Sequence, residues 1–195
     1  MYLSDKDILA AVKKKDITLR GFDANRLQPA SYDVILDNKF IVTDAYTTLV
    51  IDPEKKIFPK TKEHHVKEGE AFYLYPGETV LGRVRDFVGS KTYLIQISGK
   101  SSLARIGLVV HNTAGLINPG HYLNITLELS NINRMPIVLR PGMQIAQLVF
   151  SPLSTPVSHD YSETGRFHEN NWENFKAPKR EAAAVKTKQS RKRNK

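Results

Sequence analysis

The chain has 195 residues, 41% of them hydrophobic, no cysteine and a formal net charge of +9. That bounds it to one domain with at most an appendage, and excludes disulfides, thiol nucleophiles and thiolate metal sites, as expected for a cytoplasmic protein. Residues 176–195 hold nine Lys or Arg against one acid, so this stretch carries +8 and the remainder is close to neutral. The run predicts a solvated basic tail, and nucleic-acid contact is expected nowhere except through it. No apolar run approaches a membrane span, and the N-terminus is too polar for a signal peptide.

Ser4 predicts an N-cap, with Asp5 and Asp7 in the first turn and an apolar stripe of Ile8, Leu9, Ala11 and Val12 before Lys13-Lys14-Lys15. The character then changes to short β-branched and aromatic stretches at 31–44, 71–84, 92–100, 106–117, 122–131 and 135–150. Breaks at Pro76-Gly77, Pro119-Gly120 and Pro141-Gly142 separate several of them. Many short strands predict a mainly β fold, a jelly-roll-related distorted barrel or sandwich with one N-terminal helix. Residues 1–160 are read as the domain, 161–175 as an aromatic-rich arm needing a surface to dock on, and 176–195 as tail. On the stretch 125–129, Leu127 and Leu129 oppose Glu128, which shares its side with Thr126 and Ser130. Periodicity alone makes Glu128 a solvent-facing acid.

Several chemistries lack their residues. A zinc-dependent base deaminase needs His-x-Glu and Pro-Cys-x-x-Cys, and the chain has no cysteine. His64 and His65 are adjacent, which on a strand sends them to opposite sides, so they are expected in a wet loop and not around a metal. There is no Gly-x-x-x-x-Gly-Lys-[Ser/Thr] loop, no Gly-x-Gly-x-x-Gly and no Gly-x-Ser-x-Gly elbow.

What remains is the stretch GKSSLARIGLVVHNTAGLINPG, residues 99–120, where hydroxyls and cations stand against an apolar run. Together with LQPASYDVIL (27–36), YPGETVLG (75–82), ITLELSN (125–131) and LRPGMQIAQLVF (139–150), it resembles the dCTP deaminase branch of the trimeric dUTPase superfamily. The resemblance implies a homotrimer with sites between subunits, dCTP as substrate, and Mg²⁺ accompanying the triphosphate with no zinc. It places the general base on Glu128, with the water held by the Ser101 hydroxyl and the Ala114 carbonyl and with Arg105 as the nearby cation. It places Lys100 and Ser102 at the phosphates and Gln147 near the nucleotide. Asn118, His121 and Tyr122 fall where the family meets the deoxyribose, and Tyr161 and Arg166 belong to the arm that closes over the phosphates.

Hydrolytic deamination at cytosine C4 needs a nucleophilic water and a proton for the departing ammonia, and one carboxylate can serve both in turn. The chain departs from the family pattern at Asn118, where an aspartate is usual, at His121 and Leu123, and at Lys100, where arginine is usual. Because an amide cannot take a proton as a carboxylate does, the expected product is dUTP with ammonia. A dUMP-forming deaminase-pyrophosphatase and a non-catalytic nucleotide-binding relative stand as alternatives.

Overall fold

The computed structural model describes residues 1–165 and 167. It opens with helix α1 (Asp5–Lys13), fixed by a capping box in which the Ser4 hydroxyl accepts the Asp7 N–H and the Asp7 carboxylate accepts the Ser4 N–H. Ile8 and Ala11 face the core, and the Leu3 N–H donates to the Phe150 carbonyl at 2.9 Å, tying the helix entrance to the sheet.

Strands β1 (Ile17–Arg20), β2 (Leu27–Gln28), β3 (Ser31–Thr43) and β4 (Thr61–His65) follow, with a 3₁₀ turn at Ala24–Arg26. Next come β5 (Phe72–Leu74), β6 (Thr79–Ser90), β7 (Tyr93–Gly99), the single turn α2 (Ser101–Ala104), β8 (Leu108–Val109) and β9 (Leu116–Ile117). The described chain ends with β10 (Leu123–Asn131), β11 (Ile137–Leu139), β12 (Gln144–Pro152) and α3 (Tyr161–Thr164). One antiparallel sheet runs β8-β10-β6-β3-β12-β7-β9, with β1 on β6 and with β2 and β4 on β3, while β5 and β11 pair separately. The architecture is mainly β with an N-terminal helix, as expected.

The long strand β3 serves both halves of this sheet. Its register shifts against β6 between Leu36 and Phe40, and β12 shifts against it between Gln144 and Ala146. Such irregularities bend strands and let one sheet curl around its own core. Tyr32, Leu36, Phe40, Leu127, Ile145 and Phe150 fill that core with no measurable exposure. Arg26, inside the core margin, pairs with Asp86 at 2.8 Å, and Asp86 also accepts the Ile35 N–H at 3.0 Å. A buried charge pair of this kind stands because both partners are hydrogen-bonded.

The expected turns are present: Gly77, Gly120 and Gly142 have φ of +79°, +84° and +87°, a region that favours glycine. Some elements differ from expectation. The stretch 71–84 divides into β5 and the start of β6, and 106–117 contains only the two-residue strands β8 and β9. His64 and His65 lie not in a loop but on exposed β4, where His65 meets Glu63 and His64 sits edge-on to Phe72. Local apolar patterning does not reveal such strands, because β4 is exposed throughout and is held by its pairing to β3. Among the described residues no helix is long and apolar enough to cross a membrane.

Candidate active site

Strand β10 alternates as its sequence predicts. Ile125, Leu127 and Leu129 are buried, while Thr126, Glu128 and Ser130 are half-buried on the other side. Glu128 lies opposite Leu81 of β6 and opens on a cavity of about 400 Å³, lined also by Ala114, Asn118, His121, Thr126 and Tyr161. Its Oε2 accepts the Asn112 N–H at 3.4 Å, and no ion pair holds it among the described residues.

The segment between β8 and β10 carries the rest of this wall. The Gly115 carbonyl accepts the Ile97 N–H at 2.8 Å, and the Gly120 N–H donates to the Ser90 carbonyl at 2.8 Å. These bonds anchor the segment to β7 and β6 and leave Ala114 and Asn118 exposed toward the cavity. His121 is buried. Its ring stacks on Tyr161 with centroids 4.0 Å apart, and its Nε2 lies 3.0 Å from the Phe167 carbonyl. A carbonyl only accepts, so Nε2 carries the proton. The Tyr161 N–H donates to the Pro119 carbonyl at 2.8 Å, so the beginning of the arm docks on its own chain. The Ser162 hydroxyl and N–H hold the Asp160 carboxyl below the usual carboxylate range, and Asp160 caps α3.

Tyr122 does not line this cavity. Its ring covers Gly89 of β6, where an added Cβ would approach it to 2.2 Å. Burial, and then the Asp160 charge, push its hydroxyl above the ordinary phenol value, and it stays neutral. Tyr122 and its neighbour His121 precede β10, and their side chains take different surroundings, His121 against Tyr161 and Tyr122 against Gly89.

A second cavity of about 420 Å³ is lined by Gly99, Lys100, Ser101, Ser102, Ala104 and Gln147. Gln147 is locked: its Nε2 donates to the Gly99 carbonyl at 3.2 Å and its Oε1 accepts the Ser31 hydroxyl at 3.1 Å. Lys100 Nζ meets Asp33 Oδ2 at 2.5 Å and Gln144 Oε1 at 3.3 Å. Ser101 and Ser102 are exposed. Arg105 caps α2, is exposed, lines neither cavity and makes no ion pair with Glu128 within the chain. One chain therefore brings Ala114, Asn118, His121, Glu128 and Tyr161 together, and Lys100, Ser101, Ser102 and Gln147 together, but not the two groups. Arg166 lies outside the described residues.

Two participants were not foreseen. Asn112 contributes only its backbone N–H, which no side-chain motif announces. Asp33 is 1% exposed, and an acid amid Tyr32, Val34 and Leu36 on a strand is a sign that a cation must reach it.

The family model described as dCTP deaminase-like matches residues 2–153. The chain belongs to the dCTP deaminase-like family. It is 44% identical over 162 residues to "dCTP deaminase, dUMP-forming" of Tropheryma whipplei (strain Twist), covering 83% of each chain. It is 40% identical over 166 residues to the protein of the same name from Bifidobacterium longum (strain DJO10A), covering 85% of this chain and 86% of that one. Its fold is that of the crystal structure of a 2'-deoxycytidine 5'-triphosphate deaminase from Agrobacterium tumefaciens, with a TM-score of 0.59 at 20% identity. That match covers 78% of this chain and 48% of the other, so the chain spans about half the length of the Agrobacterium protein. The architecture is thus the curled, mainly β sheet with an N-terminal helix that this fold likeness describes.

These relatives correct the expectation that the product is dUTP. They are named for forming dUMP, the alternative that Asn118 had been held to disfavour. An amide at position 118 removes one proton acceptor and not the whole phosphoryl-transfer step. That step rests mainly on positioning and electrostatic stabilisation, and an amide serves to orient the attacking water in other phosphoryl-transfer enzymes.

Proposed function

We propose that the protein hydrolyses dCTP to dUMP, consuming two waters and releasing ammonia and pyrophosphate. The observation that carries this reading is Glu128, a half-buried carboxylate with no counter-ion among the described residues, facing a cavity shared with Ala114 and Asn118. Its relatives' names support both hydrolytic steps.

In the first step Glu128 takes a proton from a water held between the Ala114 carbonyl and the Ser101 hydroxyl. The water oxygen bonds to cytosine C4, and the same carboxyl returns a proton as the C4–N bond breaks and ammonia leaves. Arg105 stabilises the ionised carboxylate and the charge developing on the ring. In the second step a water attacks the α-phosphorus and pyrophosphate departs, with Asn118 donating and accepting hydrogen bonds that orient the water. His121 and Tyr161 form the wall beside the sugar, and Lys100, Ser102 and Gln147 face the phosphates.

A Mg²⁺ ion is expected to arrive on the triphosphate. The second cavity offers an ammonium and hydroxyls, which suit phosphate oxygens, and the described residues contain no group of three or more His, Asp or Glu to hold a resident ion. Such an ion would spread the phosphate charge.

The separation of the two residue groups within one chain supports a homotrimer in which Ser101 and Arg105 of one subunit face Glu128 of the next. Mixed trimers of Ser101→Ala and Glu128→Gln subunits are then expected to regain measurable ammonia release, because some interfaces hold both intact residues. Verified mixed trimers without activity would place both residues in one chain's site, and a monomer by light scattering would end the intersubunit reading.

A further inference from the structure

Lys100 and Asp33 form the most enclosed ion pair near the second cavity, and the pairing is lopsided. The Asp33 side chain is 1% exposed and the Lys100 side chain 22%. Asp33 Oδ2 accepts from Lys100 Nζ at 2.5 Å and from Gln28 Nε2 at 3.2 Å, while Asp33 Oδ1 is buried without a partner. Its place is rigid: Asp33 sits on β3 directly opposite Gln147 of β12, and Gln147 is itself bonded to Gly99 and Ser31.

We infer that Asp33 is a positioning residue that holds the Lys100 ammonium in one place at the cavity shared with Ser101 and Ser102, so that it presents a fixed donor to the phosphate chain of the substrate. An ammonium has three N–H donors on a flexible stem. Asp33 and the Gln144 side-chain amide oxygen take two of them, which leaves one for an anion. A lysine used as a phosphate contact lacks the fixed fork of an arginine, and a buried carboxylate at its tip supplies the missing rigidity. The carboxylate is sited for this and not for solvent, since burying an acid is costly unless a cation is brought to it. The inference rests on the reading of this cavity as the phosphate side of the site.

The test is a double-mutant cycle with Asp33→Asn, Lys100→Met and both together in the full chain. Two readouts apply: the KM and kcat for ammonia release from dCTP, and the Kd for inorganic tripolyphosphate by calorimetry. Asp33→Asn is expected to raise KM and Kd roughly tenfold with kcat within about threefold, the size of losing one charge-assisted hydrogen bond. The double variant is expected to be no worse than Lys100→Met alone. Unchanged KM and Kd in Asp33→Asn would overturn the inference, as would factors that multiply in the double variant, because Asp33 would then act through something other than Lys100. Should Asp33→Asn not fold, the double variant, which buries no charge, is compared with Lys100→Met: equal constants support the coupling and a further tenfold rise overturns it. If the unmutated chain released no ammonia, the functional reading would fail while the tripolyphosphate cycle still decided the role of Asp33.

Discussion

Replacing Glu128 by Gln is expected to lower the rate of ammonia release by ~10²–10⁴, with nucleotide binding and the unfolding midpoint nearly unchanged. The amide matches the carboxylate in shape and keeps an oxygen for the Asn112 N–H, now 3.4 Å away. It cannot accept the proton of the attacking water. Stability should be spared because Glu128 is half-buried, makes no ion pair among the described residues and leaves Leu127 and Leu129 on the core side untouched. Ammonia release is followed at saturating dCTP, with binding measured by calorimetry. A variant that keeps the original rate would remove Glu128 from the chemistry and put the general base on another residue.

Truncation after Asp160 is the second change with a large expected effect. It removes the Tyr161 ring stacked on His121, the backbone bond from Tyr161 to Pro119 and the wall that Tyr161 and Phe167 give the cavity. An aromatic stack contributes on the order of 1 kcal/mol beyond its buried area, and the opened cavity admits water to the reacting groups. The value of kcat/KM for dCTP should fall at least about tenfold. Truncation after Phe175 removes only the basic stretch and should leave both constants within about twofold. Equal behaviour of the two chains would deny the arm any part in catalysis, and a large loss on the shorter cut would assign the basic residues a role.

Much of this site was legible wherever a local rule decides structure. Ser4 and Asp7 announce the capping box, the Pro-Gly pairs announce turns, and alternation along 125–131 puts Glu128 opposite the core leucines. Each of these depends on residues at most a few positions apart. The two-residue strands β8 and β9 carry no such signal, because they exist through distant partners on β10 and β7. The Lys100–Asp33 pair joins residues 67 positions apart and follows from the β12 register, which composition does not encode. Tyr122 is a different case: it adjoins His121 in sequence, yet its ring lies on Gly89 and not beside the His121 ring.

The product was misread for a different reason. Asn118 was weighed as a missing proton acceptor, although its position in the cavity wall, beside Ala114 and Glu128, suits a group that holds water. An amide there retains hydrogen bonding in both directions. What it loses is basicity, and phosphoryl transfer rests mainly on positioning and electrostatic stabilisation.

The most direct measurement follows ammonia, pyrophosphate and the nucleotide products together while the full chain turns over dCTP with Mg²⁺. The account predicts ammonia and pyrophosphate in equal amounts from the earliest times, with dUMP as the nucleotide product. Ammonia without pyrophosphate, with dUTP accumulating, would contradict it.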